Sequence, residues 1–229
     1  MLILALDTSG DTCSACLSEG PRPRAVVQFR HERRLSERLP GVIDFLLRDS
    51  RVALRDVDVF AVGLGPGSFT GVRVAVTTAK VWAQVLSRPV VGVGSLDALV
   101  APFRCVYPAR LVAVAPARRD AVVAACYHGG TDPASPPLEP PAVVPLADLA
   151  GWARDRFART PVAAGAPLVV CGEDVLGYQG LAGPDVSRCP AAASAASVAA
   201  LAAFRWERGD AADDPLALAP QYVTPSPVG

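Results

Sequence analysis

The sequence predicts an α/β protein of two lobes, each a degenerate copy of one unit: strands first, then helix, strand and helix. Three observations lead there. Short apolar runs bounded by turn residues alternate with amphipathic stretches of helical period. The order of these elements starts again in the second half of the chain. And 229 residues suffice for two cores of roughly 100 residues each. The segment Ala101 to Arg110 reads as the boundary, which gives an N-terminal lobe of 1–102 and a C-terminal lobe of 103–229, with room for the last helix to pack back on the first lobe.

In the first lobe Leu2 to Leu6 is a nearly continuous apolar run of the kind a central strand shows. The D-T-S-G-D cluster after it supplies a turn, Thr12 to Ser18 returns as a second strand, and Ala25 to Phe29 completes a meander. Ser36 reads as a helix N-cap, followed at helical spacing by Leu39, Val42, Ile43, Leu46 and Leu47 up to Asp49; Pro40 falls in the first turns, where proline is tolerated. Val57 to Val62 is the next strand, a glycine-rich loop follows, Val72 to Leu86 is a helix, and Val90 to Val93 closes the lobe.

The second copy is less regular. Leu111 to Ala115 and Ala121 to Tyr127 are strands, and a proline-rich stretch from Pro133 to Pro145 replaces a clean third. A helix from about Leu146 to Phe157, the strand Leu168 to Cys171 and the alanine-rich helix Ala191 to Glu207 follow, with Gly209 placed to end the last.

Composition removes several function classes. No window reaches the roughly 18 uninterrupted apolar residues of a membrane span, and the opening apolar run meets Asp7 at once, unlike a signal peptide. The chain is therefore expected to fold from residue 1 in the cytoplasm. Its 22 basic residues balance 22 acidic ones, so no global field concentrates nucleic acid on it; RNA contact, if any, falls on Arg22, Arg24, Arg30, Arg33, Arg34 and Arg38, which Glu32 and Glu37 dilute. Cys13 and Cys16 form a C-x-x-C, but on a strand that spacing points them to opposite faces, wrong for a shared metal or a disulfide; the six cysteines read as buried free thiols. His31 and His128 sit near no Ser or Cys with an orienting acid, which leaves a triad hydrolase or a peptidase without support.

The loop Gly63, Gly65, Pro66, Gly67, Ser68, Phe69, Thr70, Gly71 fails as a P-loop because no G-K-[ST] follows, and as a dinucleotide fingerprint because its glycines do not give G-x-G-x-x-G. A tight structural loop that lets strand and helix pack closely is the preferred reading, with an anion nest at the helix N-terminus as the alternative. The helix behind it carries a stripe of small residues, Gly71, Ala75, Ala79 and Ala83, flanked by Val72, Val76, Trp82, Val85 and Leu86; Arg73, Thr77, Lys80 and Gln84 form its one polar edge. A helix so apolar must be covered on more than one side. One cover is its own sheet, and the other is either the same chain or another subunit.

G-L-G-P-G-S-F-T-G-V-R from Gly63 to Arg73, with L-A-L-D-T-S at the N-terminus and L-S-E-R-L from Leu35, resembles the TsaB (YeaZ) family; Ala117-Arg118 and the P-x-Y of Pro220 to Tyr222 add weaker support in the second half. The resemblance implies the two-lobed actin/Hsp70-like (ASKHA) duplicated ribonuclease H-like fold. It further implies a non-catalytic subunit required for threonylcarbamoylation of tRNA adenosine 37, docked to and activating a TsaD-type transferase together with a TsaE-type ATPase. ATP and Mg are then expected in the partner subunits and no cofactor or metal in this one. A homodimer is also implied, and tRNA is reached through the complex. By the same resemblance Ser36, Leu39, Val42, Ile43 and Leu46, together with Gly71, Val72, Ala75, Val76, Ala79 and Ala83, form the partner and dimer interface. Leu35, Pro116 and Thr224 depart from the family pattern, so any family role of those side chains is absent or replaced.

The rival reading is a small-molecule kinase or ATPase of the same superfamily, motivated by Asp7, Thr8 and Ser9 as a vestigial phosphate or metal site. Phosphoryl transfer there needs two facing hairpins and carboxylates for Mg. The equivalent second turn, Pro116, Ala117, Arg118 and Arg119, has no carboxylate before Asp120 and no glycine, so half a clamp remains. Asp7 is then expected to cap its own turn.

Overall fold

The computed structural model describes residues 1–30, 34–105, 108–117, 120–160, 165–178, 185–210 and 212–223. The chain divides into two compact units. Met1–Ala98 joins Ala193–Gln221 in the first, and Leu99–Ala192 forms the body of the second.

In the first unit β1 (Leu2–Asp7), β2 (Thr12–Glu19), β3 (Arg22–Arg30), β4 (Val59–Gly63) and β5 (Val90–Val93) form a sheet of order β3-β2-β1-β4-β5. The meander β1-β2-β3 is antiparallel, while β4 and β5 run parallel to β1. Every residue of β1 beyond Leu2 is buried, as its unbroken apolar run requires of a strand covered on both faces. At the outer edge β3 alternates half-buried Ala25, Val27 and Phe29 with exposed Arg24, Val26, Gln28 and Arg30.

One face carries α1 (Leu35–Asp49) and α2 (Phe69–Leu86); Leu39, Ile43 and Leu46 of α1 and Val72, Ala75, Val76, Ala79 and Ala83 of α2 join Leu4, Leu6, Phe60 and Val62 in one core. The other face carries α5 (Ala195–Glu207), whose first amide donates to the Ser14 Oγ of β2 at 2.7 Å. α5 packs on this first sheet although it follows the second unit in sequence.

In the second unit β6 (Arg110–Pro116), β7 (Ala121–His128), β8 (Ala142–Pro145), β9 (Leu168–Gly172) and β10 (Val186–Pro190) form a sheet of order β10-β9-β6-β7-β8. α4 (Leu149–Ala158) lays Leu149, Ala153 and Phe157 against Val112, Val114, Val122 and Val170. The repeated sheet order matches the duplication read from the element order.

Several elements differ from expectation for physical reasons. α1 starts two residues earlier than a Ser36 cap would place it: Arg34 takes the cap position without a side-chain capping bond, because Leu35 is buried at one-turn spacing from Leu39 and belongs to the core. α2 starts at Phe69, capped by Ser68, whose Oγ accepts from the Gly71 amide at 3.2 Å; Phe69, Thr70 and Gly71 are therefore first-turn residues rather than loop. α3 (Ser95–Arg104) occupies part of the supposed linker, since buried Leu96, Leu99 and Val100 give it an apolar side that its Pro102 masks in the sequence. Arg104 at its end is itself buried, donating to the carbonyls of Pro133 and Ser135 and to the Thr131 Oγ1, with its guanidinium 5.3 Å from the Tyr127 ring centroid. β10 escaped notice because an edge strand reading V-S-R-C-P lacks apolar alternation.

Candidate functional site

Asp7 ends β1 fully buried, and its carboxylate is spent inside the chain. Oδ1 accepts from the Ser9 amide at 3.0 Å and from the Ser9 Oγ at 2.7 Å, while Oδ2 accepts from the Ser95 Oγ at 2.9 Å. The Ser95 Oγ in turn accepts from the Gly65 amide at 3.1 Å. The Thr8 Oγ1 donates to the Gly71 carbonyl at 2.6 Å, and the Ser9 carbonyl accepts from the Ser68 amide at 2.6 Å. Asp7, Thr8 and Ser9 thus tie their turn to the glycine loop and the start of α2.

The glycines explain how the loop comes so close. A Cβ on Gly63 would land on the Asp7 carboxylate, one on Gly67 on the Ser9 carbonyl, and one on Gly71 on the Thr8 carbonyl. Gly65 additionally takes φ of 90°, and the Gly65–Pro66 peptide is cis. The loop therefore seats α2 on the Asp7–Ser9 turn.

A strap completes the arrangement. The Asp213 amide donates to the Val90 carbonyl at 2.9 Å, and the Gln221 amide to the Leu64 carbonyl at 2.7 Å. Between them, Leu218 is buried in the first core, beside Gly92. Lys80, the only lysine, donates to the carbonyls of Leu216 at 3.2 Å and Leu218 at 2.8 Å. The strap covers the β5 edge that would otherwise stand open.

The expected interface residues do not lie on one accessible surface. Leu39, Ile43, Leu46, Gly71, Val72, Ala75, Val76, Ala79 and Ala83 are all buried within the chain; of that set only Ser36 is exposed and Val42 half-buried. The small stripe faces the sheet, because short side chains are what let a helix backbone approach it. The accessible side of α2 is the opposite row, Phe69, Arg73, Thr77, Val81 and Val85, at the same spacing of four. Phe69 is 54 % exposed, Val81 48 % and Val85 75 %, with Phe45 of α1 at 60 %. An open groove of about 580 Å³ lies along this face, lined by Phe69, Thr70, Arg73, Val74, Thr77, Thr78, Val81 and Trp82. The Arg73 guanidinium lies 3.8 Å from the Phe69 ring centroid. The signal for this row was present in the apolar circumference of the helix, yet the stripe of small residues drew the assignment.

The basic segment is partly neutralised. Arg24 pairs with Glu19 at 3.1 Å and Arg34 with Glu37 at 2.9 Å, while Arg38 lies over the Phe29 ring and bonds the Arg30 carbonyl. His31, Glu32 and Arg33 lie outside the described residues, as do Arg118, Arg119 and Thr224. Of the second turn, Pro116 and Asp120 are exposed, and the Ala117 amide donates to the Ala121 carbonyl at 3.1 Å.

None of the cysteines is in a disulfide; Cys13, Cys16, Cys126 and Cys171 are buried, Cys105 exposed and Cys189 between, so burial holds for four of the six. Burial pushes the Cys16 and Cys126 thiols up to about 12. No group of three or more His, Cys, Asp or Glu able to hold a metal occurs among the described residues, and among them no helix is long and apolar enough to cross a membrane.

A family model described as TsaD, tRNA N6-adenosine threonylcarbamoyltransferase, matches residues 26–154. The chain is similar to the tRNA threonylcarbamoyladenosine biosynthesis protein TsaB of Haemophilus influenzae, 37% identical over 126 residues, covering 53% of this chain and 52% of that protein. It is also similar to TsaB of Bacillus subtilis, 38% identical over 101 residues and 44% of each. The chain spans about half the length of the curated relatives it matches. Among solved structures it is similar to YeaZ from Pseudomonas aeruginosa, with a TM-score of 0.79 and 29% identity over 97% of this chain and 99% of that one. The ethanolamine utilization protein EutJ from Carboxydothermus hydrogenoformans, at a TM-score of 0.52 and 10% identity over 88% of this chain and 90% of that one, shares the fold alone. The fold is the two-lobed ASKHA-like α/β fold.

Proposed function

The chain belongs to the TsaB (YeaZ) family, within the wider tRNA N6-adenosine threonylcarbamoyltransferase family, and on that premise we propose that it is a non-catalytic subunit required to modify adenosine 37 of tRNA with threonylcarbamoyl. It acts by docking to and activating a TsaD-type transferase, in concert with a TsaE-type ATPase, in the cytoplasm. ATP and Mg belong to those partners, and tRNA is reached through the assembly.

The observation that carries the docking reading is the exposed apolar row of α2 with its groove. Large side chains at Phe69, Val81 and Val85 stand in solvent on a helix whose opposite face is fully used by the core. Covering them removes apolar area from water at about 25 cal/mol per Å², with Phe69 and Phe45 as aromatic anchors. The same row serves a homodimer, so the transferase and a second copy compete for it. Silence is supported by the turn at Asp7, where both carboxylate oxygens accept from the chain's own Ser9 and Ser95, and by the second turn, whose sequence has no carboxylate before Asp120.

Light scattering of the chain with and without the transferase tests the reading. The heteromer is expected to form as the homodimer disappears, and Val81→Glu should weaken it at least tenfold, since an interface charge left unpaired costs several kcal/mol. Unchanged assembly and unchanged tRNA modification with that variant would overturn the docking surface. Magnesium-dependent ATP turnover by the isolated chain, lost in Asp7→Ala, would restore the kinase reading.

A further inference from the structure

Strand pairing brings two of the described cysteines together, Cys171 and Cys189. They face each other in register on the parallel strands β9 and β10, close enough for the Cys189 side chain to add to the upward shift of the Cys171 thiol. Opposed residues on adjacent strands project to the same side, and strands lie about 4.7–4.9 Å apart, within the roughly 4.4–6.8 Å that a disulfide allows between Cα atoms. The pairing is held at both ends: the Leu168 amide donates to the Asp185 carbonyl at 3.2 Å and the Ala191 amide to the Gly172 carbonyl at 3.1 Å. β10 is the edge strand, with no described strand on its far side, so it is free to shift as the two sulfurs approach bonding distance.

We propose that Cys171 and Cys189 are a redox-responsive pair that a peroxide converts to an intrachain disulfide, pinning edge strand β10 to β9. Accessibility sets the order of events. Cys189 is partly exposed and Cys171 fully buried, so the oxidant meets Cys189 first. The Cys189 thiolate attacks one peroxide oxygen, the O–O bond breaks, hydroxide leaves, and a sulfenic acid forms. The Cys171 sulfur then attacks the Cys189 sulfur, the S–S bond forms as the S–O bond breaks, and the hydroxide leaves as water with the Cys171 proton. Two thiols and one peroxide give one disulfide and two waters, a two-electron oxidation of the pair. Burial, with the neighbouring Cys189 sulfur adding to it, holds the Cys171 thiol above the ordinary thiol range. The Cys171 proton must leave as its sulfur attacks, so resolution accelerates as pH rises.

The test treats the full chain with hydrogen peroxide, traps free thiols by alkylation after unfolding, and maps peptides by mass spectrometry. A Cys171–Cys189 linked peptide should be the main oxidised species and disappear in Cys189→Ser. In Cys171→Ala the sulfenic acid should persist at Cys189 and be captured by dimedone, at several-fold higher yield than in the native chain. Dithiothreitol should return the native chain to two free thiols. Two results overturn the proposal: oxidation confined to exposed Cys105 while both thiols alkylate freely, or equal dimedone capture at Cys189 in the native chain and in Cys171→Ala.

Discussion

On α2 the rows Gly71–Ala75–Ala79–Ala83 and Phe69–Arg73–Thr77–Val81–Val85 share one spacing and lie on opposite faces, since a shift of two residues turns the helix by about 200°. The first row has no accessible surface left, and the second has most of the helix's exposed surface. Side-chain size separates them. Where the backbone must approach the sheet and the Thr8 carbonyl, only hydrogen or methyl fits; where nothing in the chain covers the helix, Phe and Val remain in solvent. A small-residue stripe therefore marks close approach without naming which element approaches, whereas exposed bulk marks the side a partner has still to cover.

Variants on the two rows break or sharpen that contrast. Ala79→Glu should have the largest effect: a carboxylate forced unpaired into the core costs about 3–5 kcal/mol, enough to remove most of the folded population in urea titration without any partner present. If this variant folds normally and loses only the transferase, the assignment of the stripe to the core is wrong. Gly71→Ala should come next, at about 1–3 kcal/mol, because its Cβ meets the Thr8 carbonyl and α2 must lift from the turn; the loss is read in the same titration. Val81→Glu inverts the pattern. Its stability should stay within about 0.5 kcal/mol of the native chain, while assembly weakens at least tenfold by light scattering.

Asp185 in the second unit, remote in sequence from α2, supplies the smallest effect and the control. Its hydrogen bond to Arg154 holds the Asp185 carboxyl below the usual carboxylate range. The folded state therefore binds the proton less readily than the unfolded chain, and the contribution to stability is present above the unfolded pKa and lost as pH falls through the lowered folded value. NMR titration of Asp185 should show the depressed midpoint, and Asp185→Asn should lower the neutral-pH melting temperature only slightly and leave assembly unchanged, because the carboxylate is solvent-screened.

Legibility followed the range of the interactions. β1, β5 and β7 could be placed from sequence because apolar runs and turn residues are local signals, and Asp7 was recognisable as a turn cap from the D-T-S-G cluster around it. α3 was missed because Pro102 reads as a breaker, although three buried apolar residues hold the helix against its surroundings. The buried Arg104 and the strap latched by Lys80 had no sequence signal at all. Their partners lie 27 to 31 and 136 to 138 residues away along the chain. Of the candidate site, the helix and its need for two covers were readable, and the choice of face was not.

By itself, then, the sequence determined the order of elements apart from α3 and β10, the duplication that order shows, and a helix apolar around most of its circumference, because the signals involved are periodicities within a dozen or so residues. Only the tertiary structure decided that the sheet takes the small stripe, that the glycine loop closes over Asp7, and that Cys171 meets Cys189. Those outcomes depend on which distant segment arrives at a given face, and a helical or strand repeat carries the shape of a face but not the identity of what packs against it.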